Sequence, residues 1–200
     1  GVPMSPFFGN HDVSRFITQA AYMLSGDGKE QAWNAPPAAP SNAEPYQRLR
    51  LALTFLFTQP GVPLLYYGDE LGLPGAADPD NRRFMKWSGL STEEAAALDH
   101  SKQLGAARTE LVALRRGTRR TLWIDDDLYV YARQSGTSVA LVVINRGGKR
   151  GAPVMMPIPS EMGVADGTIF KDRLSSAQLT VAGGQLVLDP GERQSMVLAP

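Results

Sequence analysis

Apolar positions change their period once along this chain, near Gly117. Before it they come as short runs or at the three- and four-residue spacing of a helix; beyond it they alternate with a period of two. Residues 4–8 and 62–67 are short apolar runs that predict buried strands. Each passes directly into a polar cluster, Gly9-Asn10-His11-Asp12 and Gly68-Asp69-Glu70. Residues 25–45, dense in Gly, Pro, Asn and Ser, predict a loop, as do residues 71–90. Residues 45–58 predict a helix: Pro45 suits its first position, Tyr46, Leu49, Leu53, Leu56 and Phe57 share a face, and Gln59-Pro60-Gly61 stops it. Ser91-Thr92-Glu93-Glu94 has the form of a capping box and opens a helical stretch that runs, with one break, to Arg116.

Past Gly117, residues 128–133, 138–145, 152–158, 167–171, 185–188 and 194–198 predict strands separated by turn residues such as Ser135-Gly136, Gly147-Gly148 and Gly183-Gly184. Short strands at this spacing predict an antiparallel β-sandwich. The first half reads strand–helix–strand–helix, the signature of parallel β/α units. Two such units neither close a barrel nor cover both faces of a sheet, so the expected fold is α/β followed by all-β. That is a partial (β/α)8 barrel over residues 1–116 and a C-terminal sandwich over residues 117–200. The first eight residues are apolar without a positively charged leader, which is no signal peptide and reads as the middle of something longer.

Composition narrows the partners. Twenty basic and twenty acidic residues cancel, so no global field favours nucleic acid or an anionic membrane. No apolar run reaches the length that spans a bilayer. Cysteine is absent and histidine occurs twice, as His11 and His100, which removes thiol chemistry and leaves no expectation of a metal or other cofactor. Zero cysteines fit cytoplasm and secretion equally.

The chemistry lies at the expected carboxyl edges of the two strands, where β/α barrels build their sites. His11 beside Asp12 can bond two neighbouring hydroxyls of a sugar, or Asn10 and Asp12 simply cap the next segment. Tyr66 and Tyr67 offer a platform for a sugar ring or are core aromatics. Asp69 and Glu70 are expected to make structural hydrogen bonds. His100 sits in a surface-like helical stretch with a structural role. Trp123, Tyr129 and Tyr131 lie close together, and core packing explains the two tyrosines that share a strand face.

Taken in order, FFGNHDVSRF and then GVPLLYYGDE resemble the α-amylase family of glycoside hydrolases, over residues 1 to about 116. In that family the Asn-His-Asp triplet follows the seventh barrel strand and the second motif covers the eighth. The sandwich is similar to the family's C-terminal domain in position and pattern. The resemblance implies retaining cleavage of α-glucosidic bonds in starch- or maltodextrin-type substrates, through an oxocarbenium-like transition state. It gives Asp12 the role of the third acidic residue, gripping sugar hydroxyls at the cleavage point, with His11 donating to the same sugar. Asp78 and Arg82, in the sequence Asp78-Pro79-Asp80-Asn81-Arg82, resemble a pair that holds a more distant sugar in cyclomaltodextrinase-like members; a mutual salt bridge is the other reading. Arg15 is expected to order the loop after Asp12.

The nucleophile Asp and the acid Glu of the family lie upstream of residue 1 and have no counterpart here, so this chain alone is expected to be inactive. Its expected partners are an α-glucan or maltooligosaccharide and either the rest of the barrel or a second copy of itself. The alternatives are a non-catalytic carbohydrate-binding or structural sandwich module, and a glucanotransferase of the same family.

Overall fold

The computed structural model describes residues 4–26 and 28–200. The chain divides into two compact units. One comprises Phe57–Val62 and Gln103–Pro200 together with Met4; the other comprises Ser5–Leu56 and Pro63–Lys102.

The first unit is built on eight strands: β1 (Thr118–Ile124), β2 (Leu128–Ser135), β3 (Ser138–Asn145), β4 (Val154–Pro157), β5 (Ile169–Asp172), β6 (Gln178–Thr180), β7 (Gln185–Leu188) and β8 (Ser195–Ala199). Six form an antiparallel sheet in the order β1-β2-β3-β8-β5-β6, and β4 pairs with β7 in a second. Side chains from both sheets, among them Val130, Leu141, Phe170, Leu186 and Leu198, form one buried apolar cluster. This is the expected sandwich core.

Two of these strands, β1 and β6, are not among those the sequence predicts. Strand β1 is exposed over most of its length and carries Arg119 and Arg120 where apolar residues would mark it. Charge on an edge strand discourages pairing with another chain and erases the pattern that announces a strand. Strand β6 has three residues, too few for a period to show.

Strand β2 has a second buried face. Leu128, Val130 and Ala132 enter the core cluster, so Tyr129, Tyr131 and Arg133 point to the opposite side of the sheet. A short helix, α5 (Val112–Arg116), packs against β2 and β3. Tyr131 is fully buried, its hydroxyl 2.5 Å from Thr58 Oγ1, and it accepts from Gln59 Nε2 at 3.1 Å. Tyr129 is half-buried beside Tyr131, ring centroids 5.0 Å apart, so the expected packing of both tyrosines in the sandwich core is corrected: neither enters it. Arg133, also fully buried, donates to the carbonyls of Thr58 and Gly117. Arg108 donates to the carbonyls of Phe57, Gln59, Gly61 and Leu114. Two guanidinium groups thus satisfy the carbonyls that residues 57–61 leave unpaired where a helix ends.

The second unit is helical and loop-rich. The helices that it holds or opens are α1 (Phe16–Ala20), α2 (Gly28–Asn34), α3 (Glu44–Thr58) and α4 (Thr92–Glu110). Helix α3 is the expected one, one residue longer at its start, with Tyr46, Leu49, Leu53 and Leu56 buried. Helix α4 opens on the expected capping box: Ser91 Oγ accepts from Glu94 N at 3.2 Å, and Glu94 Oε2 accepts from Ser91 N at 2.7 Å. Its break falls at Leu111, before α5.

Three expectations are corrected here. The loop predicted over residues 25–45 contains α2, whose Lys-Glu-Gln-Ala run is good helix former; Gln31 fastens it by donating to Met23 O at 2.6 Å. Residues 4–8 and 62–67 are not strands: Met4, Phe7, Val62 and Leu64 are exposed. Val62 N donates to Met4 O at 2.9 Å and Leu64 N to Pro6 O at 3.0 Å, in the parallel sense. A parallel strand needs a ladder on both edges and cover on both faces, and two rungs supply neither. Finally, His100 has the structural role expected of it but is largely covered rather than lying on the surface. Its Nε2 lies 2.9 Å from Thr54 Oγ1 and 3.1 Å from Arg50 O, and burial pushes its pKa down from 6.5 to about 4.

Candidate active site

The polar cluster after residue 8 folds as a turn that Asn10 makes for itself: its Oδ1 accepts from Asp12 N at 2.8 Å. This local bond frees the side chains of His11 and Asp12, which are 60% and 71% exposed and lie 3.4 Å apart, Nε2 to Oδ1. Asn10 therefore does the capping, and His11 and Asp12 are presented to solvent.

Arg82 joins this turn to the following loop. Its Nη2 donates to His11 O at 3.4 Å, and its Nε is 2.6 Å from Asp78 Oδ1. Asp78 and Arg82 form the mutual ion pair that their spacing allows, half-exposed, so each keeps polar atoms for another group. The sequence-predicted residues His11, Asp12, Asp78 and Arg82 thus belong to one exposed polar cluster.

Beneath it is a buried polar layer. Arg15 is fully buried. Its Nε donates to Asn81 O at 2.8 Å, and its Nη1 donates to Tyr67 O at 2.6 Å and Asp69 Oδ1 at 3.0 Å. Its guanidinium carbon lies 4.1 Å from the centre of the Tyr66 ring and 4.7 Å from that of Tyr67. The rings meet edge to face with centroids 4.7 Å apart, and Tyr67 Oη donates to Arg83 O at 3.0 Å. Asp69 is the structural hydrogen-bonding group expected of it; burial raises its pKa to about 6 against the opposing pull of Arg15. Gly9 packs so closely on the Asp69 carboxylate that a Cβ there has no room, which ties the motif's glycine to this layer. Gly68, at φ +86°, turns the chain into the Asp69 position.

Sequence reasoning missed two members of this layer. Asn81 is fully buried, and its Nδ2 donates to Val13 O at 2.9 Å. Asp80 takes a bidentate pair from Arg83, Nε and Nη2 each at 2.7 Å, and accepts from Ala76 N at 2.8 Å. The three-residue spacing of Asp80 and Arg83 was the available signal for the second. No local signal marks an asparagine whose partner is 68 residues away.

No protein-family model matches the chain. It is 32% identical over 201 residues to the amylopullulanase of Thermoanaerobacter thermohydrosulfuricus, covering 95% of this chain and 13% of that enzyme. It is 36% identical over 140 residues to the cyclomaltodextrin glucanotransferase of Niallia circulans, covering 70% of this chain and 16% of that one. Among solved structures it is similar to the α-amylase of Geobacillus thermoleovorans in complex with acarbose, with a TM-score of 0.77 and 26% identity over 98% of this chain and 38% of that one. The chain belongs to the α-amylase family. It spans about one eighth of the length of the amylopullulanase, and its barrel-derived portion followed by a β-sandwich matches the C-terminal part of the family's enzymes.

Proposed function

We propose that this α-amylase-family chain supplies the sugar-gripping half of an active site that cleaves α-glucosidic bonds of starch- or maltodextrin-type substrates with retention. The observation that carries it is the Asn10-held turn, which holds His11 and Asp12 exposed and adjacent beside the Asp78–Arg82 pair. Asp12 accepts hydrogen bonds from hydroxyls of the sugar at the cleavage point, and its charge faces the developing oxocarbenium ion. His11 donates to a hydroxyl of the same sugar. Asp78 and Arg82 hold a sugar further along the chain. The nucleophile and the acid are two other carboxylates of the longer enzyme. We take residues 1–116 as the barrel portion and residues 117–200 as the sandwich domain, a boundary supported by the change from the last helix, ending at Arg116, to the first strand, starting at Thr118.

The deciding variant is Asp12→Asn in the longer enzyme. It keeps the shape and removes the charge, so kcat is expected to fall by about 10²–10³ with KM little changed. Stability stays within about 0.5 kcal/mol, because an exposed turn residue buries little. Turnover within a few fold of the unaltered enzyme ends the proposal. The glucanotransferase in the comparison favours a second outcome for the same site, transfer of the glycosyl group to a sugar acceptor in place of water. Product analysis with and without added maltose separates the two. A non-catalytic role of the sandwich predicts instead that maltose shifts NMR resonances of residues 117–200 and leaves those near His11 in place.

A further inference from the structure

We propose that Arg15 is a positioning residue for this site: one buried guanidinium fastens the turn that carries His11 and Asp12 to the Tyr66–Asp69 turn and to the Asp78–Arg82 loop. The inference rests on the functional reading above and goes beneath it.

The exposed groups do little to place themselves. His11 and Asp12 are more than half exposed, and Asp78 and Arg82 are about half exposed. Their positions follow from the main chain, and Arg15 holds that main chain at several points. Three residues after Asp12, its own N donates to Gly75 O at 3.0 Å. Its Nε takes the carbonyl of Asn81, the residue before Arg82, and its Nη1 takes the carbonyl of Tyr67 and the carboxylate of Asp69. Asn81 reciprocates by donating to Val13 O, so the two loops exchange side-chain bonds in both directions.

The chemistry requires a guanidinium. Three acceptors on two separate segments lie around one planar fork, which also stacks on two tyrosine rings. A lysine brings a point charge that cannot reach all three acceptors or stack as a plane. Stability alone is a weak reason to keep such a group, since buried ion pairs are often replaceable by apolar side chains at no loss. Placement is the stronger reason, because misplacing a reacting group by about 1 Å costs about 10²-fold in rate.

The test is a double-variant cycle in the longer enzyme with maltohexaose as substrate. Arg15→Lys alone is expected to lower kcat about 10²-fold. Combined with Asp12→Asn it should cost about threefold or less further, because it acts through Asp12. The same logic in KM is expected with Arg82→Ala. A merely structural Arg15 gives losses that multiply in both backgrounds and follow the melting temperature, and that result overturns the proposal. If Arg15→Lys does not fold, Asp69→Asn, which loosens one of the three acceptors, is carried through the same cycle; multiplicative losses there overturn the proposal equally. If Asp12→Asn by itself leaves turnover intact, the functional reading has failed. If Asp12→Asn is slow but uncoupled to Arg15, only the positioning role has failed.

Discussion

The two units solve the problem of unpaired backbone differently. In the sandwich unit every ladder is antiparallel, and the central one joins consecutive strands through a short turn: β2 pairs with β3 over its full length, and one apolar cluster lies between the two sheets. In the other unit, Leu64 N donates to Pro6 O in the parallel sense, with Phe7 and Leu64 exposed, as are Phe84 and Trp87 beyond them. An antiparallel pair such as β2–β3 can be local in sequence, whereas a parallel strand depends on neighbours that arrive through long crossovers. That unit spends its order instead on polar bonds between loops, with Arg15 and Asn81 at their centre. One region is held by what it buries and the other, at its candidate site, by what it hydrogen-bonds.

Four measurements on the 200-residue chain sharpen the contrast. Phe170→Ala, at a fully buried position of the sandwich cluster, is expected to cost about 3–5 kcal/mol in a denaturant titration, from lost burial plus the cavity left behind. A smaller effect comes from His100. Its folded pKa of about 4 lies below the 6.5 of the unfolded chain, so the unfolded state takes up the proton first as pH falls. Its contribution is complete above about pH 6.5 and is lost towards pH 4, on the order of 3 kcal/mol in full at about 1.4 kcal/mol per pKa unit. Asp69 works in the opposite sense: raised from 3.8 to about 6, it makes the fold more stable as pH falls through that window. The pH dependence of His100→Gln subtracted from that of the unaltered chain isolates the histidine; identical curves refute its role.

Ser91→Ala removes one half of the capping box and is expected to cost about 1 kcal/mol, read as a lower melting temperature. Phe84→Ala comes last. At 99% exposed it should change stability by less than about 0.5 kcal/mol. A loss near that of Phe170→Ala would mean that the comparison between the two regions is wrong.

Periodicity identified what depends on near neighbours along the chain. Helix α3, the Ser91–Glu94 box, the break before α5 and the strands β2 and β3 all follow from spacing, because their partners lie within a few residues or across one turn. Edge strand β1 was hidden because its role as an edge calls for charge rather than alternation. At the candidate site the order of motifs pointed to His11, Asp12, Asp78 and Arg82, and residue types alone suggested a structural bond for Asp69.

What tertiary structure alone decided is of another kind. It made Asn10 the cap and left Asp12 to solvent, it gave the apolar runs 4–8 and 62–67 two rungs in place of a full ladder, and it packed His100 against Arg50 and Thr54. It also placed Arg15 under the site, on acceptors 52 to 66 residues away. A local pattern records the preference of a segment for a geometry. Whether that geometry forms, and which carbonyl a buried guanidinium meets, depends on desolvation and on partners brought together by the fold, and these leave no period in the chain.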